Sequence, residues 1–173
     1  MIMKVIKVQD EITEIKGKVH IQVWRGIPKR VGSEWIGDLK DERTIENIVV
    51  TKGKQLILKL LARKLGITGL EVIAIGIGTT GEVVGDTSLE TEKARENITF
   101  TSTITGAETT MTYSAFFDTE SPGTTEDISE VGLFGNGATL VVDSGDLFTR
   151  KTFTGIEKEV GIDTLTVDYN LSF

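Results

Sequence analysis

The last ten residues of the chain, 164–173, constrain the fold most because apolar and polar side chains alternate there without a break. This two-residue period is typical of a β-strand with one buried and one solvated face. Such strands belong to antiparallel sheets rather than to parallel sheets covered on both sides. We expect this strand to be held by pairing, with its two faces divided as follows: Leu165, Val167, Tyr169, Leu171 and Phe173 inside, and Thr164, Thr166, Asp168, Asn170 and Ser172 in solvent.

Most of the remaining chain carries the same β signal in short stretches separated by turns. Val19, Ile21 and Val23 alternate with polar residues, and threonine is dense in residues 98–105, which favours a sheet with one exposed face. About eight strands with closely spaced turns predict a mainly β fold, an antiparallel β-sandwich of jelly-roll type. Further strands are predicted at residues 70–75, 111–117, 128–134 and 139–142 and around Phe148 and Phe153.

One helix is predicted to interrupt the strands, at about residues 52–65. Thr51 is placed to cap its start, and Gly66 follows Arg63 and Lys64 as a stop signal. A helix of this length is marginal alone, so we expect it to cover one end or one open face of the sheet. Its apolar stripe is expected to comprise Leu56, Ile57, Leu60, Leu61 and Leu65.

Residues 76–81, GIGTTG, match the GxGxxG pattern of dinucleotide-binding folds. That function requires a helix to begin at the glycines, within a parallel βαβ unit. The following residues 82–88 contain another glycine and no helical apolar stripe. We therefore interpret the hexapeptide as a glycine-permitted turn or bulge at a sheet edge, and predict no cofactor.

Composition excludes several kinds of chemistry. The chain of 173 residues contains no cysteine, which excludes disulfides, thiolate nucleophiles and cysteine-ligated zinc. His20 is the only histidine and falls on the solvent side of its strand, so a catalytic triad lacks its base. We predict that the protein is not an enzyme. A formal net charge of -7 argues against nucleic-acid binding, and no apolar run is long enough to cross a membrane.

Two charged stretches could be read either as ion-binding sites or as solvated turns. Segments 126–127 and 143–146 offer carboxylate ligands for a metal, but without the spacing of a calcium loop, so solvated acidic turns and no metal are predicted. Arg25, Lys29 and Arg30 surround a glycine–proline turn, which we interpret as a charged turn rather than an anion site.

A series of short motifs, taken in order, resembles a group of bacteriophage and prophage virion proteins described as tail-fibre or tail-associated structural proteins. The resemblance covers about residues 45–173: an asparagine-initiated apolar helix, a strand ending in IGIG, then GDTSLETEKAR, EVGLF and LFTRKTF. The matching residues are Asn47, Gly53, Gly76, Gly78, Asp86, Leu89, Glu92, Arg95, Glu130, Gly132, Leu133, Phe134, Leu147, Arg150 and Phe153.

This resemblance implies a structural subunit of a phage particle, tail or fibre associated, that assembles in the host cytoplasm and resides in the virion. Its partners would be further copies and other virion subunits; a head-decorating or filament subunit is an alternative. Residues 45–173 would form the β-sandwich domain, and residues 1–44 an N-terminal strand region or arm for attachment or inter-subunit contact. The predicted interface residues are Trp24, Trp35, Gly78, Thr79, Thr80, Gly81 and Gly85.

Two further expectations concern individual side chains. Asp86 and Glu92 are expected to form structural ion pairs with Arg95 or Arg150, while Leu89 fills an apolar site. A second class of function is a module that binds carbohydrates or surfaces and uses Trp24, Trp35 or Tyr113 as stacking platforms.

Overall fold

The computed structural model describes residues 16–32, 34–105 and 108–172. The predictions for the N-terminal arm before residue 16 and for Phe173 lie outside these residues. Within them the elements are β1 (Lys16–Val31), β2 (Glu34–Val49), α1 (Thr51–Leu61), β3 (Leu70–Gly76), β4 (Glu92–Asn97), β5 (Thr99–Thr105), β6 (Glu108–Phe117), β7 (Glu126–Gly135), β8 (Asp146–Lys158) and β9 (Asp163–Ser172).

The nine strands form a sheet in the order β4-β3-β7-β8-β2-β1-β9-β6-β5, and every pair is antiparallel. The prediction of a mainly β, antiparallel fold with one helix is confirmed. Only two residue pairs, Ile48 with Arg150 and Val49 with Thr149, join β2 to β8. We call β2-β1-β9-β6-β5 the β1 half and β4-β3-β7-β8 the β7 half. Ile98 alone separates β4 from β5, the outermost strands of the two halves.

One hydrophobic core is shared by the two halves. The β1 half contributes the apolar side of β9, as its alternation predicts, and the β7 half contributes inward residues of β3, β7 and β8. Strand β9 pairs with β1 on one side and β6 on the other, which confirms the predicted pairing of this strand as far as Ser172. The predicted domain boundary at residue 45 falls inside β2. The largest buried core residues include Ile21, Leu56, Ile73, Ile75, Phe117, Ile128, Leu133, Ile156 and Tyr169.

The outer face of the β1 half is partly covered, contrary to the solvated face predicted for β9. Thr164 and Thr166 are buried there. The Trp24 Nε1 group donates a hydrogen bond to Thr166 Oγ1 at 3.0 Å, and Thr164 Oγ1 donates to the Gly26 carbonyl at 2.7 Å. The β1–β2 hairpin therefore packs on this face, and its contacts satisfy hydroxyl groups that the alternation assigns to water.

The β7 half is buried on both faces. A second apolar cluster occupies its outer face and includes Val72, Phe134 and Leu147. Leu89 from residues 77–91 and Ala138 from residues 136–145 belong to the same cluster. We call these segments the β3–β4 loop and the β7–β8 loop. Together they cover the outer face, which explains why β7 is buried over eight consecutive residues instead of alternating.

The strand predicted at residues 139–142 is wrong, since these residues belong to the β7–β8 loop. Asp143 has a positive φ of 61°, and the Ser144 amide donates to the Val141 carbonyl at 3.1 Å. Ser144 Oγ also donates to the Val141 carbonyl, at 2.6 Å. The hydroxyl and the tight turn thus take hydrogen bonds that a strand would give to a neighbour.

The helix runs from Thr51 to Leu61 and is shorter than predicted. Val50, not Thr51, is its N-cap, and the chain turns at Arg63, whose φ is 51°, before Gly66 is reached. Leu56 is buried in the shared core, so the helix covers one end of it. The rest of the predicted apolar stripe is mostly exposed: Leu60, Leu61 and Leu65 face solvent, and Ile57 is half-buried.

The opposite end of the core is polar. Lys158 and Asp163 are both completely buried, and the Asp163 carboxylate accepts a hydrogen bond of 2.6 Å from Lys40 Nζ. Among the described residues, Lys158 Nζ has no hydrogen-bond partner. Burial lowers the pKa of Lys158, and the nearby carboxylates of Asp118, Asp163 and Glu120 only partly oppose this effect. The shared core therefore ends in ionisable side chains rather than in apolar packing.

Gly53 lets the helix approach β8 closely. A Cβ atom at this position would lie 2.3 Å from the Phe148 carbonyl oxygen, which belongs to rigid backbone. We expect Gly53→Ala to lower the free energy of unfolding by about 1–3 kcal/mol, because the helix must move away from the strand. Denaturant unfolding measures the change. The control is Gly81→Ala, where nothing lies within 4 Å of an added Cβ; equal losses in both variants would contradict the close-approach argument.

Candidate functional site

A buried carboxylate in β7 fixes the β3–β4 loop to the sheet. Glu130 has 0% of its surface exposed and lies on the outer face of the β7 half. Its carboxylate accepts hydrogen bonds from the backbone amides of Gly78 at 3.0 Å, Glu90 at 3.0 Å and Thr91 at 2.7 Å. Both ends of the loop therefore bind one side chain. A buried charge is tolerated only when it is fully hydrogen-bonded, and these amides meet that requirement.

Arg150 in β8 completes this arrangement as the cation beside Glu130. Its Nε donates to Glu130 Oε2 at 3.1 Å, one Nη to Asp86 Oδ2 at 2.9 Å, and the other Nη to the Thr80 carbonyl at 3.1 Å. Burial alone would lower the pKa of Arg150, but its hydrogen bonds to Asp86 and Glu130 raise it. The guanidinium thus joins the sheet to the middle of the loop. The predicted ion pair between Asp86 and Arg150 is confirmed.

The same contact explains the glycines of the GxGxxG match. A Cβ at Gly78 would lie 2.5 Å from Glu130 Oε1, and one at Gly76 would lie 2.4 Å from the Thr91 carbonyl oxygen. Neither glycine has a positive φ, so the requirement is close approach to a carboxylate and a carbonyl rather than an unusual backbone conformation. Loop residues, not a helix, follow the glycines. The motif accordingly fits a protein carboxylate where a nucleotide-binding fold would hold a phosphate.

Two further carboxylates hold the exposed part of the loop. Glu82 forms an ion pair with Lys151 and accepts a hydrogen bond of 2.9 Å from Thr152 Oγ1. Although burial would raise its pKa, the hydrogen bonds from Lys151 and Thr152 bring the pKa of Glu82 down to about 2. Glu90 accepts 2.8 Å hydrogen bonds from both the amide and the hydroxyl of Thr80. The loop is thus fastened at its ends, its middle and its tip.

The β7–β8 loop is held in a similar way by Arg95 of β4. The Arg95 guanidinium forms an ion pair with Glu92, which confirms the second predicted pair. It also donates to the Ser144 carbonyl at 2.8 Å and the Thr139 carbonyl at 3.3 Å, and lies 4.2 Å from the centroid of the Phe134 ring. A cation over an aromatic face is favourable when the pair is shielded from water. Both loops are therefore anchored to one face by buried arginines.

The predicted interface residues lie in two separate regions. In the β3–β4 loop, Gly78 is buried, while Thr79, Thr80, Gly81 and Gly85 are exposed. The tryptophans belong to the β1–β2 hairpin in the β1 half of the sheet. Their role as interface residues stays a prediction.

Neither tryptophan presents an open ring. Trp24 is only 3% exposed. Trp35 is half-buried and stacks on Phe116, with 5.9 Å between the ring centroids, and the Arg30 guanidinium lies 5.2 Å from the Trp35 centroid. Tyr113 is half-buried, and burial raises its pKa. A sugar stacking on either tryptophan ring would have to displace internal contacts.

Sequence reasoning names Glu130 only as a residue of the motif series and predicts no contact for it, and it does not find the exposed apolar residues. Glu130 is the one charge within the apolar segment 128–134, a signal that a buried strand contains a paired ion. Five apolar side chains project from the anchored loops: Val83, Val84, Leu140, Val141 and Val142. The last three were assigned to a strand because β-branched residues favour strands. Their exposure is visible only in three dimensions.

Several charged side chains near the loop anchors are already bound to protein groups. A pocket of about 340 Å³ beside Arg150 is lined by residues 85–90 of the loop, but its guanidinium already binds carboxylates. In the described part of the chain, no three His, Cys, Asp or Glu side chains form a group that holds a metal. Two of the four candidate carboxylates are engaged by other side chains: Asp146 binds Asn136 at 2.7 Å, and Glu126 binds Lys93 at 2.8 Å.

These features define an antiparallel β protein with two rigidly anchored surface loops. Comparison with protein-family models, curated proteins and solved structures finds no significant match to this chain. No helix among the described residues is both long and apolar enough to span a bilayer.

The Glu130 anchor is tested by Glu130→Gln. The amide NH₂ of glutamine would face backbone N–H donors and leave Arg150 without its full counter-charge, so we expect a loss of about 3 kcal/mol in the free energy of unfolding. Hydrogen exchange should accelerate at the amides of Gly78, Glu90 and Thr91. The control is Glu157→Gln, whose side chain is 60% exposed. Unchanged exchange at those three amides would contradict the anchoring role.

Acid should weaken the loop through Glu82. Its folded-state pKa of about 2 lies below the ordinary 4.5, so the stabilisation is complete above pH 4.5 and is lost as the pH falls toward 2. Glu82→Gln should remove this part of the pH dependence of the free energy of unfolding. Parallel denaturant titrations at pH 5 and pH 3 provide the measurement. Glu46→Gln, at an exposed site in β2, should keep the wild-type profile; identical slopes for all three proteins would exclude the effect.

Proposed function

We propose that this protein is a structural subunit of a phage particle, associated with the tail or fibre, and that it acts by self-assembly rather than by catalysis. The observation that carries the proposal is where the residues of the resemblance lie. Asp86, Glu130 and Arg150 form the hydrogen-bonded centre of one loop anchor, and Glu92 and Arg95 form the other. These motifs are therefore used to hold surface loops in place, as a subunit with fixed contacts requires.

Rigid loops suit repeated assembly because little conformational entropy is lost when they bind. Here the loops also expose apolar side chains, which favour protein contacts when grouped on a surface. Val83 and Val84 lie between anchored loop positions, and Leu140 to Val142 follow the Thr139 carbonyl that Arg95 binds. Both features support a role in which the protein binds other subunits.

A β-sandwich of jelly-roll type is the finer fold that we infer for this subunit. Its support is the shared core, to which inward residues of both halves of the sheet contribute. The halves are also linked on both sides, by the β2–β8 hydrogen bonds and by the short connection at Ile98. Such a closed, doubly connected body resists deformation, which suits a building block.

The carbohydrate-binding alternative has weaker support. Trp24 is hydrogen-bonded inside the hairpin contact, and the Trp35 ring already has Phe116 and Arg30 as neighbours. Stacking on sugars requires an accessible aromatic face.

Assembly and location provide the test. We expect purified protein to form oligomers or regular polymers as its concentration rises, measured by sedimentation velocity and negative-stain electron microscopy. Antibodies against the chain should label particles released by cells that encode it, whereas pre-immune serum should not. If the purified protein stays monomeric at high concentration and the antibodies label no particle, the proposed function is contradicted.

A further inference from the structure

We propose that copies of this chain associate head to tail, with the tip of the β1–β2 hairpin of one copy seated on the two anchored loops of the next. The hairpin tip comprises residues 25–32 and 34–36, and the loop face comprises residues 79–90 and 139–143. This inference rests on the proposed function, since it names the partner of a self-assembling subunit as a second copy of the same chain.

The hairpin tip is apolar and basic. Ile27 is 77% exposed, and Val31 and Ile36 are also exposed. Arg25 and Lys29 are exposed beside them, and residues 25–36 contain three basic residues and one acidic residue. Beneath this surface the tip is held by the buried contact of Trp24 with Thr166. The tip therefore combines an apolar centre with positive charge on a supported scaffold.

The loop face is apolar and acidic. Its five exposed apolar side chains, in Val83, Val84 and residues 140–142, are each 52–69% exposed. The β3–β4 and β7–β8 loops contain no lysine or arginine, but Asp86 and Glu82 pair with Arg150 and Lys151 of β8. The exposed negative charge of the loop face therefore comes from Asp143 and from Glu90, whose carboxylate lies 3.7 Å from Arg150. This chemistry is complementary to that of the hairpin tip.

The two loops lie beside each other on the molecule. Leu89 of one and Ala138 of the other belong to the same apolar cluster, together with Phe134 beneath them. The loop face is thus one surface supported by one layer of packing. An apolar patch on a rigid support loses less entropy on binding than a patch on a mobile loop.

The hairpin tip and the β7–β8 loop occupy opposite ends of the sheet. The β7–β8 loop leads into Asp146, whose carboxylate lies 3.5 Å from Lys52 and 3.7 Å from Lys59 of α1. At the other end of the 13-residue strand β8, the chain turns into β9. There Asp163 lies opposite Arg25 in the register of β9 with β1, at the base of the tip. A strand of that length spans about 40 Å, so the tip lies far from the β7–β8 loop of its own copy.

A contact between two different surfaces is heterologous. Repetition of such a contact gives a ring if the rotation closes and an open filament or tube if it does not. Opposite charges at its edge should speed association and make it sensitive to salt, because exposed charges are screened within about 8 Å at physiological ionic strength.

The test uses one variant for each surface and a matched control. Ile27→Asp places an acid in the tip, and Val141→Lys places a base on the loop face; each introduces a charge that the opposing surface repels. Leu65→Asp is the control, because Leu65 is 100% exposed and belongs to neither surface. Sedimentation velocity at matched concentrations should show self-association at least about tenfold weaker for both variants and unchanged for the control.

Mixing the two variants gives the decisive result. Each retains one intact surface, so an equimolar mixture should associate although neither variant does so alone. Higher salt should weaken association of the wild-type chain. If the wild type associates but both variants do so equally well, or the mixture stays monomeric, the head-to-tail contact is overturned while the subunit role stands. If the wild type is monomeric yet antibodies label particles, only this contact fails; monomer without labelling removes both proposals.

Discussion

The buried ion pair between Glu130 and Arg150 is the interaction on which the outer layer of the molecule depends. A carboxylate in the interior requires several donors, and here three backbone amides and a guanidinium supply them. Because the amides belong to both ends of the β3–β4 loop, satisfying the charge also determines the path of the loop. The same hydrogen bonds therefore stabilise the carboxylate and fix the conformation of the loop.

An ion pair of this kind is weak evidence for net stability, because desolvation of the two charges opposes their attraction. We infer that the pair instead selects one conformation of the loop. An apolar pair at positions 130 and 150 would pack against almost any loop conformation, whereas the carboxylate accepts only one arrangement of amides. The second arginine, Arg95, imposes the same restriction on the β7–β8 loop through two carbonyl oxygens. Two buried cations thus convert connecting segments into a defined surface.

Much of the architecture follows from local patterns. The alternation in β9 predicts an antiparallel strand, and its apolar side does enter the core. The helix was located within a few residues, since its apolar residues and flanking signals are local. The ion pairs of Asp86 and Glu92 were also within reach of sequence reasoning. By contrast, the segment LVV at residues 140–142 has strand propensity but lies in a loop, because Ser144 and the turn at Asp143 provide its hydrogen bonds.

By itself, the sequence determined the class of fold, the placement of most strands, and the absence of cysteine chemistry, since side-chain period and composition are properties of the chain alone. Only the tertiary structure decided which faces of the strands remain exposed to solvent. Thr164 and Thr166 are buried because a distant hairpin packs over them. Likewise, Gly76 and Gly78 are required by a carboxylate more than fifty positions later in the chain. Contacts between residues so far apart have no local signal, because burial depends on how the strands are assembled.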